Sequence, residues 1–192
     1  IGGGFFGRMP QALLKQFTHE IPSYSEYAAT VGGSMRAAFP MRDVKLVIEP
    51  GTMVVADTMK FVCAVDNIKH VGDKAYVTVY GSLHNIKPTG RSKIYPSMSV
   101  VHMGMAEPEL IDNVNICGYT CIEDDILMQG FQGAIGSGDF LVFDNVGAYS
   151  MMYKPPFIRT QPAIVGWDGS KYSLVKREER CSDLFATYVF DN

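Results

Sequence analysis

The run "VKLVIEPGTMVVADTMKFVCAVDNIKHV", Val44 to Val71, decides the fold. Its first part, "VKLVIEPG", is a short and nearly continuous apolar stretch ending at Pro50-Gly51. That pattern suits a strand buried on both faces, as in a parallel sheet. From about residue 53 the pattern changes. "TMVVADTMKFVCAVDNIKHV" opens a series of strand-like runs, followed by "KAYVTVYGS", "SMSVVHM", "DNVNICGY", "DFLVFDNV" and "PAIVGWDGSKYSLVKRE". Gly, Pro, Asp and Asn separate them, and Asp168-Gly169 is a strong hairpin signal. No helix-length pattern interrupts until "CSDLFATYVF", which suits a short C-terminal helix. Residues 53–192 are therefore expected to be all β, as a barrel or a sandwich.

Upstream, residues 1–52 read as α/β. "PSYSEYAATVGGSMRAAF" places Tyr27, Ala28, Val31, Met35 and Ala38 on one helical face, with Ser23 or Ser25 as N-cap. Gly32 and Gly33 count against that helix. The opening "IGGGFFGRMP" looks like a buried strand entering a glycine loop, so the chain is expected to start inside a domain.

Composition narrows the function. Hydrophobic residues make up 47% of the 192 and charged residues 19%, as in globular proteins. A net charge of −3 offers no basic surface for nucleic acid. No apolar run approaches a membrane span, and no signal peptide is visible. Four scattered cysteines (Cys63, Cys117, Cys121, Cys181) read as reduced thiols of a cytoplasmic protein.

Several residues invite chemistry, each beside a plainer reading. Gly2-Gly3-Gly4 can cradle a phosphate or simply turn. Glu49, at the end of a buried strand, stands where active sites of α/β barrels sit; it can also cap a helix or pair in a loop. Cys117 and Cys121 lack the further ligands that zinc needs, and Glu123, Asp124 and Asp125 lack the spacing of a calcium loop, so no metal is expected. Cys121 is then a small apolar residue or a working thiol. In "FDNVGAYS", Gly147-Ala148 suggests a close backbone approach, and Tyr149 is a core residue or points its hydroxyl into a pocket. Met151-Met152 read as core or pocket wall, and "KPTGR", Lys87 to Arg91, as an anion site or a solvated turn.

Taken in order, "GGG", "EPG", Gly118-x-x-Cys121-x-x-x-Asp125 and "GAY" resemble the fold-type III pyridoxal-phosphate decarboxylases. That family includes the diaminopimelate, ornithine, arginine and carboxynorspermidine decarboxylases. The resemblance runs from Gly2 to about Ala186, and its closest look is to members serving siderophore or antibiotic pathways.

The resemblance implies a C-terminal β-barrel domain, of the kind that ends alanine racemases and these decarboxylases, over residues 53–192. It also implies that residues 1–52 are the last part of a cofactor-binding α/β (TIM) barrel, whose earlier part carries the Schiff-base lysine. This chain alone is then expected to be inactive, and to work as a homodimer or with a partner chain carrying that barrel. Gly2, Gly3, Gly4, Gly51 and Tyr149 would hold the phosphate of pyridoxal 5'-phosphate. Glu49 would keep its pyridine nitrogen protonated. Cys121 would protonate the carbanion left by CO2 in the partner subunit's site. Ile122, Glu123, Lys87 and Arg91 would face an amino-acid-type substrate.

Two departures matter. Thr52 follows "EPG" where the family has arginine, and Ile122 stands where the family has an acid that binds a distal ammonium. Burying a free ammonium against isoleucine is costly, so the distal amine is expected to be acylated or otherwise modified. The alternatives are a stand-alone β-barrel module used for binding or oligomerisation, and a racemase of the same broad fold, against which the Cys121 loop counts.

Overall fold

The structure is a computed structural model that describes residues 1–86, 94–104 and 106–189. It is mainly β, built around one six-stranded, barrel-like sheet. Its strands are β1 (Phe61–Val71), β2 (Lys74–Val79), β3 (Met98–Val101), β4 (Glu109–Cys117), β5 (Ile126–Ile135) and β6 (Phe140–Phe143). Their spatial order is β3-β6-β1-β2-β4-β5, antiparallel except for β2 against β4. β1 serves two neighbours: residues 61–64 pair with β6, and Val65 to Val71 pair with β2. A bulge between Val65 and Asn67 bends the strand where it changes partner.

Alternation explains the core. Cys63 and Val65 of β1, Val77 and Val79 of β2, and Leu141 and Phe143 of β6 point inward at two-residue spacing. In β4 the inward residues Ile111 and Val114 are three apart, because Asn113 sits in a left-handed bulge (φ 51°) that absorbs one residue. Each such side chain contributes about 1.5–3 kcal/mol by leaving water.

β5 is missing from the strand runs read in the sequence. Gly130 and Gly133 interrupt its pattern, yet it pairs with β4 from Ile126 to Ile135. The first turn of the "TMVVADTM" run is corrected: it is not strand. Gly51–Val55 forms a short α-helix, α3 in chain order after α1 (Gln11–Leu14) and α2 (Tyr24–Ala38), and Ala56–Thr58 adds a 3-10 turn. Apolar valines there follow the helical turn rather than a pleat.

α2 begins at Ser23, whose hydroxyl accepts from the Glu26 N–H while the Glu26 carboxylate accepts from the Ser23 N–H, a complete capping box. It runs through Gly32 and Gly33 with no residue buried. The "VKLVIEPG" stretch is extended but not buried: Val44, Leu46, Val47 and Ile48 are exposed. A parallel strand needs covered faces, and among the described residues only the Ile1–Gly2 stretch pairs with it.

The remaining pieces are α4 (Leu83–Ile86), α5 (Ser150–Tyr153), the hairpin β7 (Ile164–Trp167) and β8 (Tyr172–Lys176), and α6 (Cys181–Leu184). Asp168-Gly169 turns the hairpin as expected, and the Asp168 carboxylate accepts from the N–H groups of Ser170 and Lys171. Among the described residues no helix is long and apolar enough to cross a membrane.

Candidate functional site

The structure gathers four of the singled-out residues. Gly2 and Glu49 form a parallel bridge, with the Glu49 N–H donating to the Ile1 carbonyl at 3.0 Å. A Cβ on Gly2 would lie 2.8 Å from Glu49 Oε2, so the carboxylate rests against bare backbone. The Gly51 N–H donates to the Glu49 carbonyl at 3.1 Å, which sets the start of α3. Tyr149 comes from the far end of the chain, and its hydroxyl lies 3.8 Å from where a Gly51 Cβ would stand.

Gly147 makes that meeting possible. A Cβ there would fall inside the contact distance of the Val55 carbonyl oxygen, so only glycine lets the segment lie against α3. The Gly147 N–H then donates to the Ala56 carbonyl at 3.0 Å. Tyr149 itself is left-handed (φ 67°) and 55% exposed, packed edge-on against Tyr153. It is not a core tyrosine, and the neighbouring Met151 and Met152 are exposed rather than core. Gly3 and Gly4 have φ of 74° and 71°, a backbone that favours glycine, with open space beside both.

The Cys121 loop is a separate construction, pinned by Asp125. That carboxylate is only 4% exposed. It accepts from Ser82 Oγ (3.0 Å), the Leu83 N–H (2.6 Å), the Thr120 N–H (3.2 Å) and Thr120 Oγ1 (2.6 Å). A Cβ on Gly118 would collide with the Asp125 carboxylate, which explains why glycine opens this loop. Ile122 is fixed at both backbone ends: its N–H donates to Thr120 Oγ1 and its carbonyl accepts from the Asp125 N–H. Cys121, Ile122 and Glu123 are exposed at the tip. Cys117 lies in β4, half-buried; burial, then the Asp125 charge, pushes its thiol pKa up.

Among the described residues no hydrogen bond, ion pair or ring contact joins the Cys121 loop to the Glu49 cluster. Lys87 and Arg91 lie outside the described residues. Sequence reasoning missed Arg159, whose guanidinium lies over the rings of Tyr80 and Tyr119, two residues before Cys121. No motif marks it, because its partners are distant in the chain.

A buried polar knot supports the opposite end of the sheet. Asp139, 1% exposed, accepts from His102 Nδ1 (2.8 Å) and from the N–H groups of Met103, Gly104 and Gly136. Burial acts to raise its pKa, but these four bonds together hold it below the ordinary value.

No protein-family model matches the chain. It is 27% identical over 168 residues to the diaminopimelate decarboxylase of Pseudomonas fluorescens, covering 87% of this chain and 39% of that one. The diaminopimelate decarboxylase of M. jannaschii, solved with L-lysine, superposes with a TM-score of 0.73 at 21% identity, over 91% of this chain and 40% of that one. The arginine decarboxylase of Paramecium bursaria Chlorella virus superposes with a TM-score of 0.63 at 19% identity, over 82% and 40%. The chain spans about two-fifths of the length of the curated relatives it matches. In sequence and in fold, the chain is a relative of the C-terminal portion of the fold-type III pyridoxal-phosphate decarboxylases, the family of the diaminopimelate decarboxylases.

Proposed function

We propose that the chain is the C-terminal part of a pyridoxal-phosphate-dependent α-decarboxylase of amino acids or amino-acid conjugates, a cytoplasmic enzyme. On this reading residues 1–52 are the last part of the cofactor-binding α/β barrel and residues 53–192 the β-barrel domain. The Schiff-base lysine comes from outside these 192 residues, and the chain alone is inactive. The observation that carries the reading is the meeting of Gly2, Glu49, Gly51 and Tyr149 in a relative of the diaminopimelate decarboxylases.

The residues present suit the cofactor. Gly3 and Gly4 have open space beside them, the Glu49 carboxylate rests against Gly2, and the Tyr149 hydroxyl reaches Gly51. Bound there, pyridoxal phosphate supplies an electron sink for the carbanion left by CO2. Gly2, Gly3 and Gly4 offer backbone N–H groups to the phosphate and Tyr149 its hydroxyl, with Gly51 lying near it. Glu49 holds a proton on the pyridine nitrogen by its negative charge. Cys121 returns a proton to the carbon, with Ile122 and Glu123 beside it facing the substrate and Lys87 and Arg91 as further contacts. The separation of the Cys121 loop from the Glu49 cluster supports a site shared between two subunits, each giving one half.

The protein from its native source should bind pyridoxal phosphate, seen by absorbance, and release CO2 from an amino acid or its conjugate. Cys121→Ala should leave cofactor binding intact and lower kcat about 100-fold or more, the usual worth of a proton donor. Absence of cofactor binding would falsify the reading. It would favour instead a stand-alone barrel for binding or oligomerisation, which the confinement of the main apolar cluster to residues between Cys63 and Val146 supports.

A further inference from the structure

The strap from Lys154 to Thr160 holds a cation beside the Cys121 loop. Lys154 is 4% exposed, and its ammonium donates to the carbonyls of Pro155 (3.3 Å), Arg159 (2.9 Å) and Thr160 (3.1 Å). All three of its donors are spent on shaping backbone. Within the strap, Ile158 is left-handed at φ 64°, closed into a tight turn by the Arg159 N–H donating to the Phe157 carbonyl at 2.8 Å. A β-branched residue there is strained, and such strain persists only where the surroundings enforce it.

The outcome of that strain is the place of Arg159. Its guanidinium carbon lies 4.5 Å from the Tyr80 ring centroid and 5.5 Å from that of Tyr119. Tyr119 in turn donates its N–H to the Gly81 carbonyl at 3.1 Å, and Asp125 pins the same loop. Arg159 and Cys121 therefore rest on one support. Stacking on aromatic faces leaves the in-plane N–H fork of an arginine available for a carboxylate. Among the described residues no ion pair uses that fork. A cavity of about 100 Å³ opens between Tyr80, Tyr119, Lys154 and Arg159, with Glu178 also on its wall.

The same loop offers nothing fixed for a cation. Ile122 is apolar and 46% exposed beside Cys121. Asp125 is buried and saturated by four donors. Glu123 and Asp124 lie exposed in the turn, where water screens them.

We propose that Arg159 binds a carboxylate at the distal end of the substrate, so that this end is an acid, or an amine acylated by one, rather than a free ammonium. The substrate assignment rests on the reading of the Cys121 loop as facing the substrate; the carboxylate site rests on the geometry of Arg159 itself.

Glutarate and cadaverine, of matched length and opposite charge, separate the possibilities. Each is titrated into the chain at low salt, with the backbone amides of Tyr119 to Ile122 and of Arg159 followed by NMR. Glutarate should move these signals and cadaverine should not. Arg159→Gln should weaken glutarate about tenfold or more, as loss of a charge-assisted bond does. Arg159→Lys, which keeps the charge and loses the fork, should weaken it less and serves if the glutamine variant does not fold. Unchanged glutarate affinity in either folded variant, equal or tighter binding of cadaverine, or no response to either ligand overturns the site. The titration needs no cofactor. If the protein from its native source binds no pyridoxal phosphate while glutarate still binds this chain, the decarboxylase reading falls and the carboxylate site stands.

Discussion

The six-stranded sheet and the segment before it are held in different ways. In the sheet, Val77, Ile116, Leu127, Ile135, Leu141 and Phe143 are completely removed from water. In residues 1–52 Leu13 alone is buried, and α2 keeps its fifteen residues with none. The sheet is ordered by apolar burial between strands distant in sequence. α2 is ordered locally, by its capping box and its own hydrogen bonds. The contrast teaches that a well-formed helix is no sign of a core beneath it. The exposed Val47 and Ile48, in a stretch patterned for burial, fit the proposal that another barrel segment or subunit covers this face.

The largest test of the contrast is Phe143→Ala. Removing this ring should cost about 3–5 kcal/mol by leaving a cavity at the centre of the sheet. Chemical denaturation should show the sheet's cooperative transition moving to much lower denaturant, while the α2 amides exchange as before. If the α2 amides lost protection in step with the sheet, the two regions would be one cooperative unit and the comparison would break.

Acid gives a smaller and reversible effect on the sheet alone. Asp139 has a folded pKa below its ordinary value, so its contribution to stability is fully present above about pH 4. It is lost as pH falls through the lowered folded value. Denaturant midpoints measured between pH 6 and pH 2 should therefore decline below pH 4. In Asp139→Asn, less stable throughout, that part of the decline should vanish; an unchanged slope would mean that other carboxylates carry it.

Ser23→Ala should have the smallest effect, about 1 kcal/mol on the helix alone. Faster exchange of the first-turn amides of α2, with an unchanged sheet transition, is the expected result. A shift of the sheet transition of the same size would show that α2 is coupled to the core after all.

Much of this was legible in the chain. Strand-like runs set off by Gly, Pro, Asp and Asn marked five of the six sheet strands, Asp168-Gly169 marked the β7–β8 hairpin, and Ser23 or Ser25 marked the start of α2, which the structure places at Ser23. β5 escaped because glycines at 130 and 133 break its alternation; its neighbour β4, not its own propensity, makes it a strand. Val54 and Val55 misled in the opposite direction, since apolar residues look alike on a helical turn and on a pleat. At the candidate site, the motif order "GGG", "EPG", "GxxCxxxD" and "GAY" picked out Gly2, Glu49, Cys121 and Tyr149.

The sequence by itself determined the local choices: which runs alternate, where a helix is capped, where Asp168-Gly169 turns, and which motifs occur in which order. Those depend on neighbours a few residues away, so the chain carries them openly. Only the tertiary structure decided that Gly147 admits Tyr149 to Gly51, that Gly118 makes room for the Asp125 carboxylate, and that Arg159 lies over Tyr80 and Tyr119. These are fits between side chains and backbone that meet only in the folded chain, and such steric fit leaves no periodic trace in the order of amino acids.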